Sequence, residues 1–206
     1  TAQAYITTDL NANQITTFHP GAMQYSNLIK IPDDGSVTLG LISPDGREGM
    51  IDHTKQLIDM NVPYIFDPGQ GMPMFNKEEL KFFTENSLWT VMNDYEFKMF
   101  NEVTGLTASD ISKNNKNLII TDGENGSSIF TSSEKLIIPT PKVNDPKDPT
   151  GCGDAYRAGI IYGIMNDMPL EKIGELSSKL GALKVKSFGT QNHKIDDEIK
   201  KLLWLS

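Results

Sequence analysis

The amino-acid sequence predicts an α/β protein with a mainly parallel central sheet flanked by helices, and three observations predict it. Short β-branched or aromatic runs alternate with longer runs of helical period. The joins between them are short and punctuated by Gly, Pro, Asn and Asp. One glycine turn, Gly151-Cys152-Gly153, opens directly into an apolar run over residues 155–165. Alternation of this kind is the pattern of right-handed βαβ units, whose ligands gather at the carboxyl ends of the strands. With 206 residues, 38% of them hydrophobic, the chain can bury one sizeable core, and no stretch reads as low-complexity.

Taken in order, residues 4–8 and 14–18 are β-branched and aromatic runs joined by residues 9–13, which predicts a hairpin. A strand over 37–42, an amphipathic helix over 47–60 and a strand over 62–66 follow, the last ending at Asp67-Pro68-Gly69. The order repeats as helix 77–85, strand 88–92, helix 95–103, short helix 109–114 and strand 118–121. Residues 126–131 and 135–140 then read as paired antiparallel strands at a sheet edge. The helix after the glycine turn carries Ala155, Ala158, Gly159 and Gly163 on or near one side, small enough to lie close against the sheet. Helices over 170–185 and 196–205 complete the chain.

A net charge of -8 with no dense Lys/Arg patch argues against nucleic acid or an anionic membrane as a partner, so any nucleotide needs a local positive site. One cysteine excludes an internal disulfide framework and suits a reducing cytoplasm. No apolar run approaches the ~20 residues of a membrane span. Thr1 in place of an initiator Met, with a β-like run behind it, leads us to expect a chain that begins inside a larger protein or has been cut.

The chemistry concentrates in Asp148-Pro149-Thr150-Gly151-Cys152-Gly153-Asp154. Pro149 stops any preceding regular element, and Gly151 and Gly153 admit backbone shapes and close approaches that a side chain forbids. The first amides of a helix have no partner within it, and the macrodipole adds about half a positive charge there, so their natural ligand is an anion. Asp154 sits in that first turn, where it can face whatever the anion meets. Tyr156 stands where a dinucleotide fingerprint needs glycine, and no Gly-x-x-x-x-Gly-Lys-Ser/Thr occurs, so neither a Rossmann fingerprint nor a Walker loop is present. The plainer alternative is a helix cap that binds nothing.

Other motifs have the same double reading. Asn93-Asp94-Tyr95-Glu96 is either a capping box or a ligand-edge site, and Thr121-Asp122-Gly123-Glu124-Asn125-Gly126 is either a hairpin or a nucleotide loop. Asp67-Pro68-Gly69-Gln70 is a turn or a cleft wall. Arg157 approaches a phosphate or, the favoured reading, pairs with an acidic neighbour; Cys152 is a packing side chain before it is a redox switch, although a helix N-terminus lowers thiol pKa. The three histidines have no metal-binding spacing.

Asp148-x-Thr150-Gly151-Cys152-Gly153-Asp154-Ala155 resembles the C-terminal signature of the ribokinase-like (PfkB) family of sugar and nucleoside kinases, and the chain is similar to the later two-thirds of such a kinase. Residues 18–23, 67–70 and 189–193 are closest to bacterial members described as adenosine or nucleoside kinases. The resemblance implies ATP as phosphoryl donor, magnesium, an optional monovalent cation and a nucleoside acceptor, with adenosine expected. A sugar kinase for ribose or fructose, or a non-catalytic nucleotide-binding fragment, stands as the alternative. It further implies Asp154 as catalytic base, an anion hole of the amides of Gly151, Cys152 and Gly153, and nucleotide contacts from Asn93, Thr121, Gly123, Gly126 and Thr150, with Glu96 reaching the metal through water. Cys152 replaces the usual alanine, a change the backbone amide tolerates. Residues 1–20 correspond to substrate-covering lid strands, through which a homodimer is an option, and residues 21–206 to a nucleotide-binding core. The isolated chain is therefore expected to be incomplete as an enzyme.

Overall fold

The structure, a computed structural model, describes residues 1–8, 14–114 and 116–203. They form two compact units, Thr1–Val91 with Lys98–Leu106, and Met92–Phe97 with Thr107–Ser206.

In the first unit, β1 (Gln3–Thr8) and β2 (Gln14–His19) pair antiparallel, Gln3 opposite His19 and Thr8 opposite Gln14. Residues 9–13, expected as the hairpin join, lie outside the described residues. After a 3-10 segment at Gly21–Leu28, which the residue pattern did not foretell, come β3 (Gly40–Ile42), α1 (Arg47–Asp59) and β4 (Tyr64–Phe66). A second 3-10 segment, Gly69–Met74, leads to α2 (Lys77–Asn86) and β5 (Trp89–Asn93). β3, β4 and β5 pair in parallel, as the βαβ pattern requires. β3 and β4 are shorter than expected. Pro63 has no N–H to give a ladder, and its carbonyl instead accepts from the amide of Gly40 at 2.9 Å, where the pairing begins. α2 starts at a capping box, with Asn76 and Glu79 each accepting the other's amide at 2.9–3.0 Å. The helix buries Leu80 and Phe83, and Phe83 stacks on Phe66 with ring centroids 4.9 Å apart.

The second unit holds the first turn of α3 (Asp94–Thr104), α4 (Ala108–Ile111), β6 (Asn117–Thr121), β7 (Ser127–Phe130) and β8 (Lys135–Ile138). β6, β7 and β8 pair antiparallel, Thr121 opposite Ser127 and Ser127 opposite Ile138, as expected for the edge. The strands run in the order β3-β4-β5 in the first unit and β6-β7-β8 in the second. α5 (Cys152–Met165), α6 (Leu170–Lys184) and α7 (Asp197–Leu203) share a core of Ala155, Leu176, Leu180, Ile199 and Leu202. The small residues of α5 do not serve the sheet, as the sequence led us to expect. A Cβ on Gly159 would lie 2.6 Å from Cα of Ser177, and one on Gly163 2.5 Å from Ile173, so the two glycines bring α6 in close instead. Tyr156 ties α5 to β7, its hydroxyl 2.7 Å from Oγ of Ser127. Among the described residues no helix is long and apolar enough to cross a membrane.

Candidate active site

All ten residues singled out for chemistry lie in the second unit. Gly151 caps α5 with φ 88°, a left-handed backbone that a side chain would strain, and a Cβ there would also meet Thr190 at 3.1 Å. The first helical bond runs from the amide of Ala155 to the carbonyl of Gly151 at 3.0 Å. Among the described residues no carbonyl accepts from the amides of Gly151, Gly153 or Asp154, which is the open donor set of an anion site. The amide of Cys152 differs from expectation: it donates to the carbonyl of Pro149 at 3.1 Å. Gly153 is informative for the opposite reason to Gly151. Its backbone is helical, glycine costs about 1 kcal/mol there relative to alanine, and the nearest atom to an added Cβ is the movable guanidinium of Arg157 at 3.2 Å. Nothing in the fold demands this glycine, which fits a demand from a ligand.

Asp148 laces the turn from behind. Its Oδ1 accepts from the amide of Thr150 at 2.9 Å and its Oδ2 from the amide of Gly189 at 2.9 Å. These bonds, the Thr150 amide first, hold the Asp148 carboxyl below its ordinary pKa. The amides of Lys147 and Asp148 both donate to the carbonyl of Val185, at 2.7 and 3.2 Å. Segment 185–190 thus fastens the front of the turn to the end of α6. Lys184, fully buried, reaches into the same junction and donates to the carbonyl of Asp148 at 2.7 Å.

Asp154 projects outward, its side chain 70% exposed, and is paired with the guanidinium of Arg157 one turn on, as the favoured reading of Arg157 expected. Cys152 is half-buried, with Sγ 3.9 Å from the carbonyl of Asp148. Burial pushes its thiol above the ordinary value of 9.0, outweighing the lowering by Lys184, so the helix terminus does not make it a thiolate.

Asn93 and Glu96 form a reciprocal cap at the start of α3: Oε2 of Glu96 accepts from the amide of Asn93 at 2.8 Å, and Oδ1 of Asn93 from that of Glu96 at 2.7 Å. Thr121 ends β6, and Gly123 lies in a 3-10 turn, Gly123–Asn125, that leads to β7. A Cβ on Gly126 would fall 2.2 Å from the carbonyl of Ile138, so this loop lies flat against the strand beside it. Thr140 then donates to the carbonyl of Gly123 at 3.3 Å and meets Ser178 of α6 at 3.2 Å, linking loop and helix. A cavity of about 340 Å³ is lined by Asp94 and Asp122 together with Asn125, Ser128 and Lys135 among others, bringing those two motifs to one hollow. The residues of the glycine turn are not in its wall. A second cavity, of about 290 Å³, belongs to the first unit, between Pro44, Met50 and His53.

Sequence reasoning passed over Lys184, Thr190 and the lacing by Asp148. The signal for Lys184 was available: positions 173, 176, 177, 180 and 184 trace one helical stripe, and the first four bury Ile, Leu, Ser and Leu.

The sequence family described as pfkB family carbohydrate kinase matches residues 39–197. A nucleoside kinase of Methanocaldococcus jannaschii is 32% identical over 94% of this chain, which spans 63% of that relative's length. Two solved structures of a Burkholderia thailandensis nucleoside kinase, in complex with inosine and with ADP-inosine, are each 40% identical to the chain. They superpose over 99% of it with TM-scores of 0.93 and 0.92, and the chain covers 67% and 64% of them. A ribokinase of Thermotoga maritima, 20% identical, shares the fold over 99% of this chain and 70% of its own, with a TM-score of 0.75.

Proposed function

Because the chain belongs to the pfkB family of carbohydrate kinases, we propose that it forms the nucleotide-handling part of an enzyme that transfers the γ-phosphoryl group of ATP to the 5′-hydroxyl of a nucleoside. The observation that carries this reading is the turn at Gly151, a left-handed glycine opening a 14-residue helix in which the amides of Gly153 and Asp154 have no carbonyl partner among the described residues and whose first turn presents a carboxylate. The nucleoside kinases among its relatives, one of them bound to inosine, support a nucleoside over a bare sugar as acceptor. Adenosine and inosine are the first candidates.

In this mechanism Asp154 accepts the proton of the 5′-hydroxyl as its oxygen attacks the γ-phosphorus; the bond from that phosphorus to the bridging oxygen breaks and ADP leaves. Position outweighs basicity for this carboxylate, because the transition state is loose. Arg157 fixes the direction of Asp154. The amides of Gly151 and Gly153, with that of Cys152 shared with Pro149, hold the charge on the moving phosphoryl. Thr150 adjoins the phosphates, and Asn93, Thr121, Gly123 and Gly126 border the rest of the nucleotide.

Among the described residues no three His, Cys, Asp or Glu side chains gather to cage a metal, and Glu96 has committed only one carboxylate oxygen to its cap. That donor set fits magnesium, which keeps several waters and takes its remaining ligands from phosphates. Glu96 would hold it through water, and the ion would supply neutralising charge to the phosphates. We further assign residues 1–20 to a substrate-covering lid and residues 21–206 to the core. A homodimer through β1 and β2 fits the exposure of Tyr5, Ile15 and Phe18 on them.

A competition assay on the complete protein, with radiolabelled ATP and equal adenosine, inosine, ribose and fructose, tests the reading. The nucleosides are expected to take most of the label. Preferred labelling of a free sugar would make it a sugar kinase, and nucleotide binding without any transfer would leave only a binding protein.

A further inference from the structure

We infer that Lys184 is a positioning residue for the phosphate turn: its buried ammonium is a built-in cation that holds Asp148 and segment 187–189 in place beneath the open amides of α5. The inference rests on the proposed phosphoryl-transfer reading and adds to it a group to which that mechanism gives no part.

Lys184 is 0% exposed. An ammonium is rarely buried so completely, because the lost hydration must be replaced by oxygen ligands. Here the ligands are the carbonyl of Asp148 at 2.7 Å, the carbonyl of Ser187 at 3.3 Å and, at 3.9 Å, Oδ2 of the Asp148 carboxylate. Two backbone carbonyls and a carboxylate around one positive charge form the kind of oxygen nest that holds a small monovalent cation. The protein fills that nest with its own side chain, so the turn requires no dissolved cation.

The location gives the charge a task beyond stability. Asp148 is the residue whose two oxygens fix the amides of Thr150 and Gly189, and Thr190, next to Gly189, abuts Gly151. Moving the ammonium therefore moves both sides of the turn. Arg157 is paired with Asp154 and Lys147 with Asp145 at the surface, whereas Lys184 meets Asp148 behind the turn, where solvent does not screen the pair. A purely structural role is the weaker account, since a buried ion pair is often no more stable than apolar residues of the same volume.

The experiment uses the complete protein, with MgADP affinity measured by calorimetry, nucleoside turnover measured beside it, and thermal melting as the check on folding. Wild-type turnover should be the same in potassium, sodium or choline chloride at equal ionic strength. Lys184→Met should weaken MgADP binding and lower turnover by about 10–100-fold, the range for loss of a supporting partner behind a binding site. Lys184→Ala should recover several-fold with added ammonium or potassium ions and not with choline, a response that a packing role would not produce. Unchanged MgADP affinity in Lys184→Met, or loss in Lys184→Ala that no small cation moves, overturns the inference. If neither variant folds, Lys184→Arg decides. It keeps the charge and should hold MgADP within about threefold of wild type; a tenfold loss in a variant that melts like the wild type counts against the role of the charge. Absence of nucleoside turnover in the wild type would sink the proposed function alone, because MgADP affinity still reads Lys184.

Discussion

Asp154 carries the most specific claim at the level of single residues. Asp154→Asn keeps the shape of the side chain and a hydrogen-bond acceptor at the start of α5 but removes the group proposed to take the proton. Phosphoryl transfer should fall by about 10²–10⁴, or roughly 3–5 kcal/mol of barrier, in single-turnover kinetics on the complete protein. MgADP affinity should hold or rise slightly, since a negative charge beside the phosphates is gone; transfer within a few-fold of wild type would reduce Asp154 to a cap. Cys152 offers a prediction with a pH sign. Its folded pKa is raised by burial, so the thiol remains protonated at neutral pH and alkylation there should be slower than for a free thiol, accelerating only as pH rises beyond the ordinary value of 9.0. By the same sign, its protonated burial favours the folded state below that value, and the contribution is lost at higher pH. Bound ATP should protect the thiol, and Cys152→Ala should keep most activity because the backbone amide remains. Rapid, pH-independent labelling would mean that the sulfur is already a thiolate at neutral pH, with its pKa lowered and not raised. The residue types of the turn were readable from the motif, but the engagement of the Cys152 amide with Pro149 was not, because a local turn hydrogen bond has no signature in side-chain identity.

At the scale of elements, the contact between α5 and α6 decides how rigidly the turn is mounted. Helix propensity alone says that Gly159→Ala stabilises by about 1 kcal/mol. The structure predicts the opposite sign. The new Cβ would sit 2.6 Å from Cα of Ser177, a backbone atom that cannot rotate away, and overpacking of this kind costs about 1–3 kcal/mol. A melting temperature lower by several degrees is expected for Gly159→Ala, with no change in m-value; a rise would show that α6 shifts freely. The alternation of strands and helices, the antiparallel edge and the helix starts were legible, since each follows from local period and punctuation. The partner of the small face of α5 was not. A stripe of glycines and alanines states that something comes close without stating what, and the competition between sheet and α6 is settled by the whole packing arrangement.

For the molecule as a whole, a cradle held by Asp148, Lys184 and segment 185–190 should couple nucleotide binding to stability. MgADP at about a hundred times its dissociation constant should add roughly 2.7 kcal/mol, a shift in melting temperature of about 5–10 °C for a chain of this size. Gly151→Ala, strained at φ 88° and crowded by Thr190, should lose most of that shift in the same scanning calorimetry. An undiminished shift would place the nucleotide elsewhere. By itself, the sequence determined the α/β class, the glycine turn into a helix, the residue types of the proposed anion site and the resemblance to the pfkB family. All of these are carried by neighbours along the chain: a glycine, a helix terminus and a carboxylate three residues on. Only the tertiary structure decided what stands behind the turn. Lys184 and Asp148 are 36 positions apart, and Gly151 and Thr190 are 39 apart. Their meeting depends on α6 returning along α5, and the burial that makes an ammonium seek two carbonyls exists only once the chain has closed around it.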